Sequence, residues 1–236
     1  MAQTAISACS TGSKKRKKKS KEEGPEGPLF IRCWTMRIYL YEGKQLHGEA
    51  AYPLIRLAAE MYAAEEGLDL ATCFSDAGEN LFTDVDRFLI ETKIGVTDKG
   101  KPFFENLPLE FSVTNSGEMW MCAISEKPCG IDLQVAKDAP HGKIAERFFK
   151  PEEAEYVKTF GEEGFFRLWV RREAYGKMTG EGLWGDMPSL VCAGAHGDLK
   201  FLDNIDGFNI SDIEIGEGIY CAVCTADPEP YQIILL

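Results

Sequence analysis

The 236-residue chain has no apolar run approaching the ~20 residues that span a bilayer, so no membrane-embedded helix is expected. It also lacks a disulfide framework. The eight cysteines, Cys9, Cys33, Cys73, Cys122, Cys129, Cys192, Cys221 and Cys224, are irregularly spaced, and a chain of this length does not need cross-links to hold a core. Only Cys221 and Cys224 have a metal-like interval, and no second pair matches it. Their surroundings, residues 218–225, read as a buried strand in which cysteine behaves as a small apolar residue. The N-terminus lacks a signal peptide, because its basic run follows the mildly apolar stretch instead of preceding a long one. Reduced thiols and a cytoplasmic location are expected.

Basic charge is scarce where the chain can fold. Residues 1–28 hold 7 of the 26 Lys and Arg and 3 of the 38 Asp and Glu, which leaves 19 against 35, a net of −16, for residues 29–236. Non-specific nucleic-acid binding needs a basic surface, so no nucleic-acid partner is expected. A polyphosphate would have to be held by a local cluster of Lys and Arg, or by a metal. Residues 1–28, with the single-sign block Lys14 to Lys19, cannot bury enough apolar surface to order themselves. They are expected to be a disordered basic extension.

The remainder is ordinary in bulk, and its patterning carries the information. Trp34, Met36, Ile38 and Leu40 alternate as in a strand. Ala51, Leu54, Leu57, Ala58 and Met61 recur at helical spacing, and Gly67 supplies a stop. Further strands are predicted over 88–96, 111–114, 119–125 and 131–135, with Asn115-Ser116-Gly117 as a turn. Helices are predicted over 141–149, from Lys150 to a break at 161–164, and from 165 to near Gly180. Glycine-punctuated short strands fill the last fifty residues. Helices followed by strands within each half indicate an α+β fold of two similar halves, 29–128 and 129–236, each a small, mainly antiparallel sheet packed with helices.

Two positions stand out. In the strand 131–135 the period of two sets Ile131, Leu133 and Val135 against Asp132 and Gln134. Aspartate is disfavoured in strands, so Asp132 marks either a metal or catalytic position or a wet sheet face. In the helix from 165, the apolar stripe of Phe166 and Trp169 continues into Glu173 and Lys177, an i,i+4 pair. Such a pair on a solvated surface contributes only about 0.2–0.5 kcal/mol. An aspartate and a glutamate from different elements also make the hard-oxygen site that Mg²⁺ uses, with waters and substrate phosphates completing it. Lys101, Thr114 and Asn115 would add the cation, hydroxyl and amide that hold phosphates.

On these residues the sequence resembles the 4′-phosphopantetheinyl transferases, specifically the larger Sfp-type enzymes built from two similar halves. Gly130-Ile131-Asp132-Leu133-Gln134 resembles the family's Gly-(Ile/Val)-Asp signature. Trp169, Arg172-Glu173-Ala174 and Lys177 resemble its aromatic, Lys-Glu-(Ala/Ser), Lys signature. Upstream, Gly100-Lys101-Pro102 is similar to its Gly-Lys-Pro loop, and Phe111 to Ser116 to its strand ending in Ser-His-Ser. The likeness is dense from about Lys99 to Trp184 and looser before that.

The resemblance implies the phosphopantetheinyl transferase fold. It also implies Mg²⁺-dependent transfer of 4′-phosphopantetheine from coenzyme A to a serine of an apo acyl or peptidyl carrier protein, releasing 3′,5′-ADP. Asp132 and Glu173 would hold the metal, with Gln134 where many members have a second acid. Glu173, or a water it orients, would take the serine proton. Lys101, Pro102, Thr114, Asn115, Arg172, Lys177 and, by weaker analogy, Arg56 would contact coenzyme A. The basic-rimmed Phe148-Phe149, beside Lys143, Arg147 and Lys150, would receive the carrier unless both rings are core. A two-halved chain is expected to work as a monomer. Asn115 in place of His, and Gln134 in place of an acid, leave an alternative: a coenzyme A- or carrier-binding protein of the same fold without transfer activity.

Overall fold

The computed structural model describes residues 35–44, 46–68, 92–182, 187–194 and 197–236. The predicted extension and residues 88–91 of the predicted strand 88–96 lie outside them.

The first half is built on β1 (Met36–Glu42), which pairs antiparallel with β5 (Met119–Ser125), itself antiparallel to β4 (Glu110–Ser116). The alternation of apolar residues gives this sheet two buried faces. On the outer one, Tyr39, Phe111, Trp120 and Ile124 pack against Ile55, Ala58, Ala59 and Tyr62 of α1 (Tyr52–Glu66). Between α1 and β4 the chain forms a small hairpin, β2 (Ile94–Val96) with β3 (Pro102–Phe104).

The second half repeats the plan of strand, helix and hairpin. β6 (Cys129–Val135) pairs antiparallel with β11 (Ile219–Thr225), β11 with β10 (Phe208–Asp212), and β10 with β9 (Asn204–Ile205). The helices here are α2 (His141–Phe148) and α3 (Pro151–Thr179), and α3 covers the outer face. The predicted break at 161–164 is a kink within α3. Gly161, at φ 63° and ψ −140°, has a backbone that favours glycine, and the helix resumes after it. A short pair, β7 (Val191–Ala193) with β8 (Leu199–Phe201), lies between α3 and β9.

The inner faces of the two sheets share a core. Ile38, Leu40, Met121 and Ala123 belong to the same cluster as Ile131, Leu133, Cys221 and Val223. The order is therefore helix, sheet, sheet, helix. The last strand, β12 (Tyr231–Leu235), departs from a division at residue 128. It pairs parallel with β1, from Met36 opposite Tyr231 to Leu40 opposite Leu235, and so completes the first sheet. Cys221 faces the inter-sheet core and Cys224 the α3 core, so the two thiols of the metal-like interval point to opposite sides of β11. Burial pushes the thiols of Cys129 and Cys224 up to about 12. Among the described residues no helix is long and apolar enough to cross a membrane.

One junction fixes how the halves meet. β6 lies at the edge of its sheet, so the backbone N–H groups on its free side need acceptors. Side chains of β4 supply them: Ser112 Oγ accepts from Ile131 N at 3.0 Å, Thr114 Oγ1 from Leu133 N at 3.1 Å, and Ser116 Oγ from Val135 N at 2.9 Å. Hydroxyls on every second residue of β4 thus replace the carbonyls of a neighbouring strand.

Candidate functional site

Asp132 occupies the α3-facing side of β6, as the strand period predicts. Gly130, two residues earlier on the same face, explains how the helix reaches it. A Cβ there would overlap the Ala174 carbonyl oxygen and lie 2.5 Å from Met178 N, so only glycine lets the α3 backbone lie directly on the strand. The residue between those two contacts that points to the sheet is Lys177. Its ammonium donates to Asp132 Oδ1 at 2.7 Å and to the Ile131 carbonyl at 2.9 Å.

Asp132 is 3% exposed, and both its oxygens are engaged. Oδ1 also accepts from Thr114 Oγ1 at 2.9 Å, and Oδ2 accepts from Gln134 Nε2 at 3.1 Å. Glu173 lies half-buried one turn from Lys177 and has no ion pair among the described residues. Burial first, and then the nearby Asp132 charge, raise its carboxyl above the usual range, while Lys177 and Arg172 pull it back. Asp132, Gln134, Glu173, Thr114 and Lys177 are therefore one group, contributed by β4, β6 and α3.

Beside this group is a cavity of about 200 Å³, lined by Lys99, Lys101, Pro102, Ser112, Gly176 and Lys177, among others. Lys99 is paired with Glu181 at 2.6 Å. Lys101 has no ion-pair partner among the described residues, so its charge is available to a ligand. Larger cavities elsewhere, such as one of about 420 Å³ lined by Glu163, Arg167, Asp212 and Glu214, carry more acid than base and suit a phosphate poorly.

Three predicted contacts are placed elsewhere. Arg172 is 5% exposed and donates through Nη1 to Glu153 Oε2 at 2.7 Å, with its guanidinium 5.1 Å from the Phe149 ring centre. Glu153 is fully buried. It also accepts from Leu190 N, and from Lys150 N at the start of α3. Arg172 thus fastens α3 instead of facing the cavity. Asn115 follows Thr114 on β4, so it points to the α1 side with Val113, away from Asp132, and the strand runs through it to Ser116 before turning. Arg56 donates to the Thr92 carbonyl at 3.0 Å and does not line the cavity. Sequence reasoning finds Glu153 as a first-turn acid of the helix that starts at Lys150 but misses its pairing with Arg172. It also missed the Ser112 and Ser116 rungs, whose signal is the hydroxyl at every second position.

Phe148 and Phe149 separate in role. Phe149 stacks on Phe165 at 5.7 Å and packs against Trp169, whereas Phe148 is 42% exposed, with the Arg147 guanidinium 4.9 Å from its ring centre.

Residues 128–224 match the pattern of the 4′-phosphopantetheinyl transferase superfamily. Over 143 residues, 57% of this chain and 63% of the relative, the sequence is 30% identical to a 4′-phosphopantetheinyl transferase of Bacillus subtilis. It is 29% identical to 4′-phosphopantetheinyl transferase Sfp of Bacillus subtilis strain 168 over 59% of this chain and 65% of that one. It is 35% identical to 4′-phosphopantetheinyl transferase gsp of Aneurinibacillus migulanus over 53% and 55%. The matched segment spans less than two thirds of the length of each of these three relatives. The chain is thus similar to the 4′-phosphopantetheinyl transferase superfamily over residues 128–224, and to Sfp-type enzymes over a longer stretch.

Proposed function

We propose that the chain transfers the 4′-phosphopantetheine group of coenzyme A to a serine of an apo acyl or peptidyl carrier protein, with Mg²⁺ as cofactor, and releases 3′,5′-ADP. The observation that carries this reading is the close approach of α3 to β6 at Gly130. It sets Lys177 against Asp132, with Glu173 one turn away on the same helix, and Lys177 also lines a cavity shared with Lys101.

The donor set fits a hard divalent cation. Asp132, Glu173 and the Gln134 amide are oxygen-bearing groups on facing elements, and the Asp132 charge adds to the cost of ionising Glu173. These three would hold Mg²⁺, whose charge would neutralise the pyrophosphate oxygens of bound coenzyme A. Only two of the three are acids.

In the reaction the carrier's serine oxygen forms a bond to the β-phosphorus, and the bond from that phosphorus to the bridging oxygen breaks. The electron pair leaves with 3′,5′-ADP, and the serine proton goes to Glu173, whose raised affinity for protons suits it as an acceptor. Lys177 and Lys101 place positive charge along the cavity wall, where charge builds on the phosphate oxygens. Pro102 stiffens the edge of the same cavity.

The exposed Phe148, with the Arg147 guanidinium over its ring and Lys143 and Lys150 nearby in sequence, offers an apolar contact with basic residues for a carrier domain. The test of the reading is product formation. With coenzyme A, Mg²⁺ and an apo carrier, 3′,5′-ADP should accumulate in step with loss of apo carrier. Accumulation that ignores the carrier, or none across fatty-acid, polyketide and peptide carriers, contradicts it.

A further inference from the structure

Thr114 belongs by sequence to the expected coenzyme A contacts, but its surroundings give it another task. We propose that Thr114 is a positioning residue that aims the Asp132 carboxylate, an inference that rests on the transferase reading for the use made of that carboxylate. A hydroxyl has one proton and two lone pairs. Leu133 N–H already donates to Thr114 Oγ1 at 3.1 Å, so that contact uses a lone pair. The single proton is left for Asp132 Oδ1, 2.9 Å away. The direction of this bond is therefore set by the backbone of β6 and not by solvent.

Three further features support the assignment. Thr114 is 4% exposed and Asp132 3%, so bulk water does not compete for either group. Threonine is β-branched and stiff about χ1, so the hydroxyl holds its place. Its neighbours Ser112 and Val113 line the cavity beside Lys101, whereas Thr114 does not, as befits a group that touches the carboxylate and not the ligand. With Lys177 sharing Oδ1 and Gln134 on Oδ2, the carboxylate plane is fixed from three sides. Ser112 and Ser116 make the same backbone bond as Thr114, but neither donates to a carboxylate among the described residues.

The experiment compares the whole chain with three variants, Thr114→Val, Thr114→Ser and Ser116→Ala. Mn²⁺ binding is read by electron paramagnetic resonance without coenzyme A, together with crystal structures of the wild type and Thr114→Val. Thr114→Val should bind Mn²⁺ about 10- to 100-fold more weakly, as loss of a partner behind a metal ligand does. Thr114→Ser should restore binding, Ser116→Ala should leave it unchanged, and Asp132 in Thr114→Val should turn away from Lys177.

Unchanged Mn²⁺ binding in Thr114→Val with a raised coenzyme A dissociation constant would make Thr114 a ligand contact and overturn the proposal. An equal loss in Ser116→Ala would overturn it too, by reducing the hydroxyl to a rung of the β4–β6 junction. If the wild type binds no Mn²⁺, the metal role in the transferase reading fails. The structure of Thr114→Val then still decides: an unmoved Asp132 overturns the positioning role and a rotated one supports it.

Discussion

The Lys177 ammonium lies 2.7 Å from Asp132 Oδ1, on an element 45 residues away, while Glu173, one turn back on its own helix, has no ion-pair partner among the described residues. The buried carboxylate, not the neighbouring one, holds the cation. Lys177→Met should therefore leave Asp132 buried without its counter-charge and destabilise the protein by about 3 kcal/mol. Added Mn²⁺ should raise the melting temperature of the variant more than that of the wild type, because the ion takes over the missing charge. Thermal melts in EDTA and in Mn²⁺ check this. Equal responses would mean that Asp132 does not depend on Lys177.

Glu173 makes a pH-dependent contribution of the opposite sign to that of most carboxylates. Burial and the Asp132 charge raise its folded-state pKa, so the unfolded chain gives up this proton first. Stability falls as pH rises from below the ordinary glutamate range through the raised value, and the contribution vanishes once both states hold the proton. In EDTA, Glu173→Gln should melt above the wild type near about pH 7 and converge with it below about pH 4, although it should abolish transfer. A gain in stability with a loss of activity marks a site tuned for function. A variant that melts lower at neutral pH would contradict the assigned strain.

Gly130 is where packing and chemistry meet. Gly130→Ala sets a methyl group against the backbone of α3 at Ala174 and Met178, and overpacking of this kind costs about 1–3 kcal/mol. The helix must move off the strand to relieve it, and Lys177 and Glu173 move with it. Transfer should be lost under conditions where urea melts and circular dichroism show the variant still folded. Normal activity in a folded variant would show that the close approach is not required.

At the proposed docking face, Phe148→Ala should raise the KM for the carrier about tenfold, the effect of losing a modest interface anchor, with the KM for coenzyme A unchanged. Phe149→Ala should instead lower stability, since that ring packs on Phe165 and Trp169. Steady-state kinetics with each substrate varied separate the two.

Much of this was legible in the sequence, to the depth that local pattern allows. The period of two set Asp132 apart from Ile131 and Leu133, and helical spacing with Gly180 as a stop bounded the segment that carries Glu173 and Lys177. Partners distant in sequence were not legible. Lys177 pairs with Asp132 because Gly130 lacks a side chain, and that consequence appears only when helix and strand are in contact. Arg172 looked like a phosphate ligand by its place next to Glu173. It turned out to be held by Glu153, whose burial depends on how the start of α3 meets Leu190. The sequence pattern ends a strand at Thr114 and begins a turn at Asn115. β4 continues through both, so the pleat sends them to opposite faces. The return of β12 to the first sheet left no mark in its own composition, because Tyr231 to Leu235 would serve any sheet edge.

The most direct test of the transferase reading is the intact mass of an apo carrier protein after incubation with this chain, coenzyme A and Mg²⁺. The wild type should add the mass of one phosphopantetheine per carrier, and Asp132→Asn, folded by circular dichroism, should add none. A wild-type chain that leaves fatty-acid, polyketide and peptide carriers all unmodified, or an Asp132→Asn variant that modifies them at the wild-type rate, would contradict it.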